Sequence, residues 1–280
     1  MVGQTGEMRI AVTGASGKLG SVVVSELRDA GHEVLAMDRA GTRGDGFLFV
    51  DFTDYGQVVD ALHEGGAFDA VVHLAAIPAG GIAPESATFH NNISATFNVF
   101  QAARRAGIQT IVYASSETLL GIPFDVDPPY APLDEEYDSR PESMYAVVKH
   151  LEEELAQKLI RWDDALSITA LRFSNVMTPA DYPGFADFTP ESRRWNLWGY
   201  IDARDGAQAV LLSLQRAKPG FDRFIIAAAD TVLDVPSAEL LAEGFPGVEL
   251  RGSVGEFETL LSITKARTEL GYDPKHSWRD

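Results

Sequence analysis

Tyr145 and Lys149 stand four positions apart in the run Tyr-Ala-Val-Val-Lys, which sets both side chains on one face of a helix. A phenol, with a reference pKa of about 10, is a poor base at neutral pH. A neighbouring ammonium favours the phenolate and brings proton transfer within reach. Such a run alone also occurs on ordinary helix surfaces. Its weight comes from Ser115 and Ser116, which follow the apolar run Thr110–Ala114. Ligands of open α/β sheets sit at the carboxyl ends of the strands, where a serine hydroxyl can orient a substrate oxygen toward Tyr145. Strand-end turns use serine too, and one of the pair suffices for a site.

The run Arg9–Thr13 leads directly into Gly14-Ala15-Ser16-Gly17-Lys18-Leu19-Gly20. A first glycine permits a tight turn, a second lets the backbone approach a pyrophosphate, and a third lets the following helix pack closely on the strand. The helix amino terminus then offers free N–H groups to phosphate. Gly14, Ser16, Gly17, Lys18, Leu19 and Gly20 are therefore candidate dinucleotide contacts. Asp38 ends the next strand, 18 residues beyond Gly20. A carboxylate there accepts from the adenosine ribose hydroxyls and repels a 2′-phosphate, so NAD is expected rather than NADP. Arg39 is either a solvated charge or a partner for that phosphate. Asp51, followed by Phe52, serves the adenine or caps a helix starting near Tyr55.

The segments Glu33–Asp38, Phe47–Val50, Ala70–Leu74, Thr110–Ala114 and Ile168–Phe173 are short and apolar without alternation. That is the pattern of a parallel sheet covered on both faces. Helices over Lys18–Ala30, about Ser86–Arg105 and about Glu142–Arg161 complete the βαβ spacing. The fold class is α/β, a Rossmann-type doubly wound parallel sheet over residues 1–175, with a small C-terminal substrate-binding cap over 176–280. The cap is rich in Pro, Gly and aromatics, and Phe224–Ala227 is expected to return to the main sheet.

A net charge of −18 repels phosphate backbones and anionic lipid, which excludes nucleic acid and membrane as partners and leaves a small-molecule substrate. The absence of cysteine excludes disulfides and thiolate chemistry. His32, His63, His73, His90, His150 and His276 form no ligand-like cluster, so no metal is expected, and His73 inside a strand reads as a satisfied core residue. No apolar run reaches the roughly 20 residues of a membrane span. The amino-terminal MVGQTGEM lacks a signal-peptide core, so a cytoplasmic location is expected.

The segments TGASGKLG, VVHLAA, NNISATFNVFQAARRAG, VYASSETLLG, YAVVK, LRFSN and TKARTELGYDP follow one another along nearly the whole chain. In that order and spacing the sequence resembles the extended short-chain dehydrogenase/reductases, the NAD-dependent epimerase/dehydratase family. The resemblance implies Ser116 as the catalytic hydroxyl, Tyr145 as acid/base and Lys149 as its partner. It also implies cofactor contacts at Leu74, Ala75, Ala76 and Phe173, Asn92 on the helix behind the site, Asn175 beside the nicotinamide, and a homodimer built from the two long helices. Glu152, Glu153 and Glu154 would form the solvated rim of that interface beside Leu151, Leu155 and Leu159.

Members of the family that act on nucleotide sugars carry a long insertion after LRxxN. Here Asp202 follows Asn175 by only 27 residues, too few for the usual nucleotide cradle. The short cap resembles the uronate-dehydrogenase branch, in which an arginine before a Trp/Tyr-rich strand binds a carboxylate. Arg194 is the candidate, with Ser115, Ser116, Glu117 and Asn175 as further substrate contacts. The expected function is an NAD-dependent oxidoreductase moving a hydride between nicotinamide and a hydroxyl or carbonyl carbon of a sugar or sugar acid. The alternatives are a nucleotide-sugar epimerase or dehydratase and a non-catalytic NAD sensor.

Overall fold

In the computed structural model, residues 6–280 other than 43 and 65 are described; residues 1–5, part of the stretch read above for a signal segment, lie outside them. In chain order the elements are β1 (Arg9–Thr13), α1 (Lys18–Asp29), β2 (Glu33–Asp38), β3 (Phe47–Phe49), α2 (Tyr55–Glu64), β4 (Ala70–His73), α3 (Glu85–Arg105), β5 (Thr110–Ser116) and β6 (Tyr130–Ala131). There follow α4 (Met144–Trp162), β7 (Ser167–Phe173), β8 (Val176–Met177), α5 (Pro190–Arg193), β9 (Ile201–Asp202), α6 (Ala203–Arg216), β10 (Gly220–Ile226), α7 (Ser237–Gly244) and β11 (Glu249–Leu250).

Seven strands pair in parallel in the order β3-β2-β1-β4-β5-β7-β10. The chain order reverses between β1 and β4, the switch point at which open α/β sheets bind ligands. The central strands β1, β4, β5 and β7 are buried on both faces, which is why they read as apolar runs without alternation, whereas the edge strand β3 leaves Leu48 and Phe49 exposed. Ile10 and Val12 pack into one cluster with α1, α6 and the cap. Ala11 and Val71 pack into the other with α2, α3 and α4. The cap consists of β8 paired to β9, the short helix α5, and 3₁₀ turns at Tyr182–Asp187 and Arg194–Asn196. An aromatic group of Tyr182, Phe185, Phe188, Tyr200 and Trp278 fills it.

One expectation fails in the long helix. Glu152 and Glu153 are not a solvated rim: they are 0% and 3% exposed. Glu153 accepts two hydrogen bonds from Arg172, at 2.9 and 2.8 Å, and one from the Ser115 hydroxyl at 2.7 Å. Glu152 pairs with Lys149 at 2.8 Å. Leu159 is buried with them, and of the three glutamates only Glu154 reaches solvent, where it pairs with Lys158. A buried ion pair stripped of one partner leaves an uncompensated charge in low dielectric. Glu153→Ala should therefore cost about 3–5 kcal/mol of folding stability, whereas Glu154→Ala should cost roughly 0.5 kcal/mol or less. Denaturant midpoints of the two variants check this; equal midpoints would contradict the assignment.

Candidate active site

The glycine loop is shaped by contacts that no side chain survives. Gly14 has φ +69°, and a Cβ there would sit 2.6 Å from the Ala75 nitrogen. A Cβ on Gly20 would lie 2.0 Å from the Gly14 carbonyl oxygen. The loop is thereby pressed against the end of β4, and α1 starts with no side chain capping it, which leaves N–H groups for phosphate oxygens.

Beside this loop runs a cleft of about 510 Å³ along the carboxyl edge of the sheet. Gly14, Gly17, Lys18, Leu19, Gly20, Asp38, Arg39, Asp51, Phe52, Leu74, Ala75, Ala76 and Phe173 line it, as do Ser115, Ser116, Glu117, Tyr145, Lys149 and Asn175. Ser16 stands one step back: its N–H donates to Asp38 Oδ2 at 3.0 Å and its hydroxyl to the Ala40 carbonyl at 2.6 Å. Asp38 is thus fixed at the carboxyl end of β2. Asp51 accepts from the Thr53 N–H and hydroxyl at 2.9 and 2.7 Å, bonds that hold its carboxyl below the usual range. It does not cap α2, because Asp54 takes the Gln57 N–H. Asn92 is fully buried behind the cleft, accepting from Ile77 N and donating to Ile77 O.

Arg194 is a correction. It lies outside the cleft, donating to the Gly244 and Phe124 carbonyls and to Asp127, with its guanidinium stacked on Phe245. Successive residues of a helical turn diverge by about 100°, so only one of two adjacent arginines can turn inward. That one is Arg193, buried between Phe188 and Trp195 and bonded to Asn175 Oδ1 and the Gly199 carbonyl. Near it, Glu117 accepts from the Ser174 hydroxyl at 2.5 Å and from Asn196 at 3.3 Å. Burial outweighs these donors and the Arg193 charge, pushing the Glu117 carboxyl up to about 7.

At the centre, Ser116 Oγ accepts from the Thr118 N–H and hydroxyl, which leaves its own hydrogen to donate. Lys149 Nζ lies 5.8 Å from the Tyr145 ring centre and donates to the Ala114 carbonyl and to Glu152, each at 2.8 Å. The network continues inward. The Thr96 hydroxyl donates to Glu152 Oε1 at 2.9 Å, and His73 Nε2 lies 3.1 Å from Thr96. His73 Nδ1 lies 2.7 Å from Thr13 Oγ1, which accepts from the N–H groups of Leu74 and Ala75. Burial, and then the Lys149 charge, lower His73 to about 3, so the ring is neutral. The donors then order themselves: Thr13 to Nδ1, Nε2–H to Thr96, Thr96 to Glu152. His73 is the satisfied core residue expected of it.

Sequence reasoning missed Thr96, Glu152, Arg193, Asn196, Asn91 and Trp195. The first four stand behind the lining; Thr96 and Asn196 carry no signal in a single sequence, Glu152 reads there as part of a wet helix face, and Arg193 is indistinguishable from Arg194. Asn91 and Trp195 line the cleft. Trp195 was within reach, since it adjoins the arginine pair. Among the described residues no group of acidic or histidine side chains is arranged to hold a metal, and no helix is long and apolar enough to cross a membrane.

The sequence profile of the NAD dependent epimerase/dehydratase family matches residues 10–227, and the chain belongs to that family. It is 26% identical to UDP-glucose 4-epimerase of Corynebacterium glutamicum over 308 aligned positions, covering 96% of this chain and 92% of that one. It is 28% identical over 183 positions to the Bacillus subtilis enzyme of the same name, where the match spans 52% of the relative. A stretch of 108 positions is 37% identical to L-arabinose 1-dehydrogenase (NAD(P)(+)) of Haloferax volcanii, covering 39% of this chain and 41% of the relative. Among solved structures, a UDP-galactose 4-epimerase superposes with a TM-score of 0.70 at 29% identity, covering 96% and 94% of the two chains. The Thermus thermophilus UDP-glucose 4-epimerase complex with NAD gives 0.70 at 23%, over 96% and 95%.

The cofactor is NAD, and the cradle fits it: a loop at the switch point whose Gly14 and Gly20 have no room for a Cβ, an uncapped helix end, and Asp38 lining the cleft at the end of β2, where a carboxylate can accept from a ribose. Asp38→Ala removes charge-assisted contacts of about 1.5–3 kcal/mol. Calorimetry should show NAD affinity falling roughly 10- to 150-fold, with NADP affinity unchanged or improved. Loss of both in equal measure would assign discrimination to Arg39.

Proposed function

We propose that the chain is an NAD-dependent dehydrogenase of a small, free polyhydroxylated substrate such as a sugar, and not of a nucleotide sugar. The observation that carries this reading is the cap. Residues 178–200 form one short helix and two turns, and their aromatic side chains pack on one another. Glu117, Asn175 and Trp195 line the same cleft as Ser116 and Tyr145, and polar groups beside an indole suit a ligand of sugar size. The partial likeness to an arabinose dehydrogenase supports the reading; the longer likeness to UDP-glucose 4-epimerases supports the alternative of an epimerase that recycles its NAD.

When bound, NAD supplies a hydride acceptor. Tyr145 would take the proton of the substrate hydroxyl as its phenolate, a form that Lys149 favours against burial, which holds the phenol above its ordinary value in the protein alone. The Ser116 hydroxyl holds the substrate oxygen toward Tyr145 and stabilises developing charge. Lys149 keeps a positive charge beside the phenol. Helices α3 and α4, on which Phe97 and Leu151 are exposed, are the proposed homodimer surface.

A panel of free sugars, sugar acids and UDP-sugars with NAD tests the reading. NADH should accumulate with free sugars or their acids. Product without net NADH from a UDP-sugar would establish the epimerase instead. Tyr145→Phe should keep NAD binding and lose turnover by roughly 10²–10⁴-fold; a variant near wild-type rate would remove Tyr145 from the role. Light scattering should give twice the monomer mass, and a monomer at micromolar concentration would reject the dimer.

A further inference from the structure

Glu152 stands out because the chemistry proposed above makes no use of it. A carboxylate three residues after Lys149 is fully buried, 2.8 Å from the ammonium that is meant to assist Tyr145. Its two oxygens are spoken for, by Lys149 and by the Thr96 hydroxyl. We infer that Glu152 is a positioning residue that tempers Lys149: it anchors the ammonium by a hydrogen-bonded chain to the cofactor loop and cancels part of the charge that Tyr145 feels.

The anchoring half follows from the geometry. From Lys149 the chain passes through Glu152, Thr96, His73 and Thr13 to the backbone N–H groups of Leu74 and Ala75, which line the cleft. Every hydroxyl and ring nitrogen along it has a partner, so the lysine cannot shift without leaving a buried polar group unpaired, which is costly. The ammonium spends two hydrogens on Ala114 and Glu152 and keeps the third for the cleft.

The electrostatic half rests on the same distances. The charged and titratable groups around Tyr145 and Lys149 are Glu152 and Glu153 on α4, Glu117 after β5 and His73 on β4. Tyr113 on β5, Arg172 on β7 and Arg223 on β10 surround the two glutamates. Glu153 is matched by Arg172. Glu152 has Lys149 alone. Burial works to lower the Lys149 ammonium, but Glu152, Tyr145 and Glu153 together carry it above the ordinary lysine value. Burial raises the Tyr145 phenol, Lys149 lowers it, and Glu152 raises it again. The sign is therefore fixed: removing the Glu152 charge makes the phenolate easier to form.

This inference rests on the roles proposed for Tyr145 and Lys149, and its test separates the two. Glu152→Gln is the informative variant. It is isosteric, and its side-chain oxygen can still accept from Lys149 while the negative charge is removed. In NAD-loaded protein, ¹³C-tyrosine NMR follows the Tyr145 ring through its titration, assigned by loss of the signal in Tyr145→Phe, with no turnover required. The midpoint should fall by about 1 unit or more in Glu152→Gln. The acid limb of the kcat–pH profile should move to lower pH by the same amount. Thr96→Val, which cuts the chain but keeps the charge, should leave the midpoint in place and weaken NAD binding instead. A Glu152→Gln midpoint unchanged or higher overturns the inference. If no substrate is turned over but the NMR midpoint shifts as stated, the dehydrogenase reading fails and the inference stands.

Discussion

Two glutamates inside one helix constrain much of this molecule. A carboxylate taken out of water is tolerable only against a cation with its remaining lone pairs filled. Helix α4 carries two such groups in succession and satisfies them in different directions. Glu153 is tied to Arg172 on β7 and to Ser115 at the end of β5. Glu152 is tied to Lys149 one turn earlier and, through Thr96, to α3. The helix is thereby held to two central strands and to its neighbouring helix by directional bonds, on top of its apolar packing. Tyr145 sits at the first turn of that helix, started by Ser143, whose hydroxyl accepts from the Ala146 N–H. Its phenol is placed over the strand ends by bonds made further along the helix.

The opposite wall of the cleft is positioned by the reverse device, the absence of side chains. Gly14 and Gly20 allow backbone to meet backbone where a single carbon would intrude. One side of the site is thus fixed by charge in a dry interior and the other by close approach. The hydrogen-bonded path from Lys149 to Leu74 and Ala75 joins them.

These two devices differ in how much of themselves they leave in the sequence. Gly14, Gly17 and Gly20 are legible because three glycines at that spacing, directly after an apolar run, match the needs of a phosphate-binding turn. Asp38, Tyr145 and Lys149 follow from type and position, as does the pair Ser115 and Ser116, of which the family resemblance implies Ser116. The parallel strands were legible for the same reason that their alternation was missing: both faces are covered. Glu152 and Glu153 were not legible. Three consecutive glutamates look like a wet helix face, and only the tertiary placement of Arg172 and Thr96 shows two of them turned inward. Arg193 and Arg194 were ambiguous in kind, since identical neighbours carry no information about which one a turn of helix rotates inward, behind the cleft lining. Leu197 and Trp198, both with positive φ, lie just beyond them and bend the chain in a way non-glycine residues seldom reveal in advance.

Lys18 at the start of α1 reaches across to the Val176 carbonyl and to Asp181, so a contact between the phosphate loop and the cap is made by two partly exposed charges. Ions in solution act on that contact but hardly on the pairs inside α4. At physiological ionic strength the Debye length is about 8 Å, and exposed pairs weaken as salt rises while buried ones are little screened. With a formal charge of −18 spread over the surface, dilute buffer leaves the acidic groups repelling one another and strong brine relieves them. Salt thus works in two opposing directions on the outer shell of this protein, loosening the clasp between loop and cap while easing the crowding of like charges, and it leaves the proton-handling interior nearly untouched.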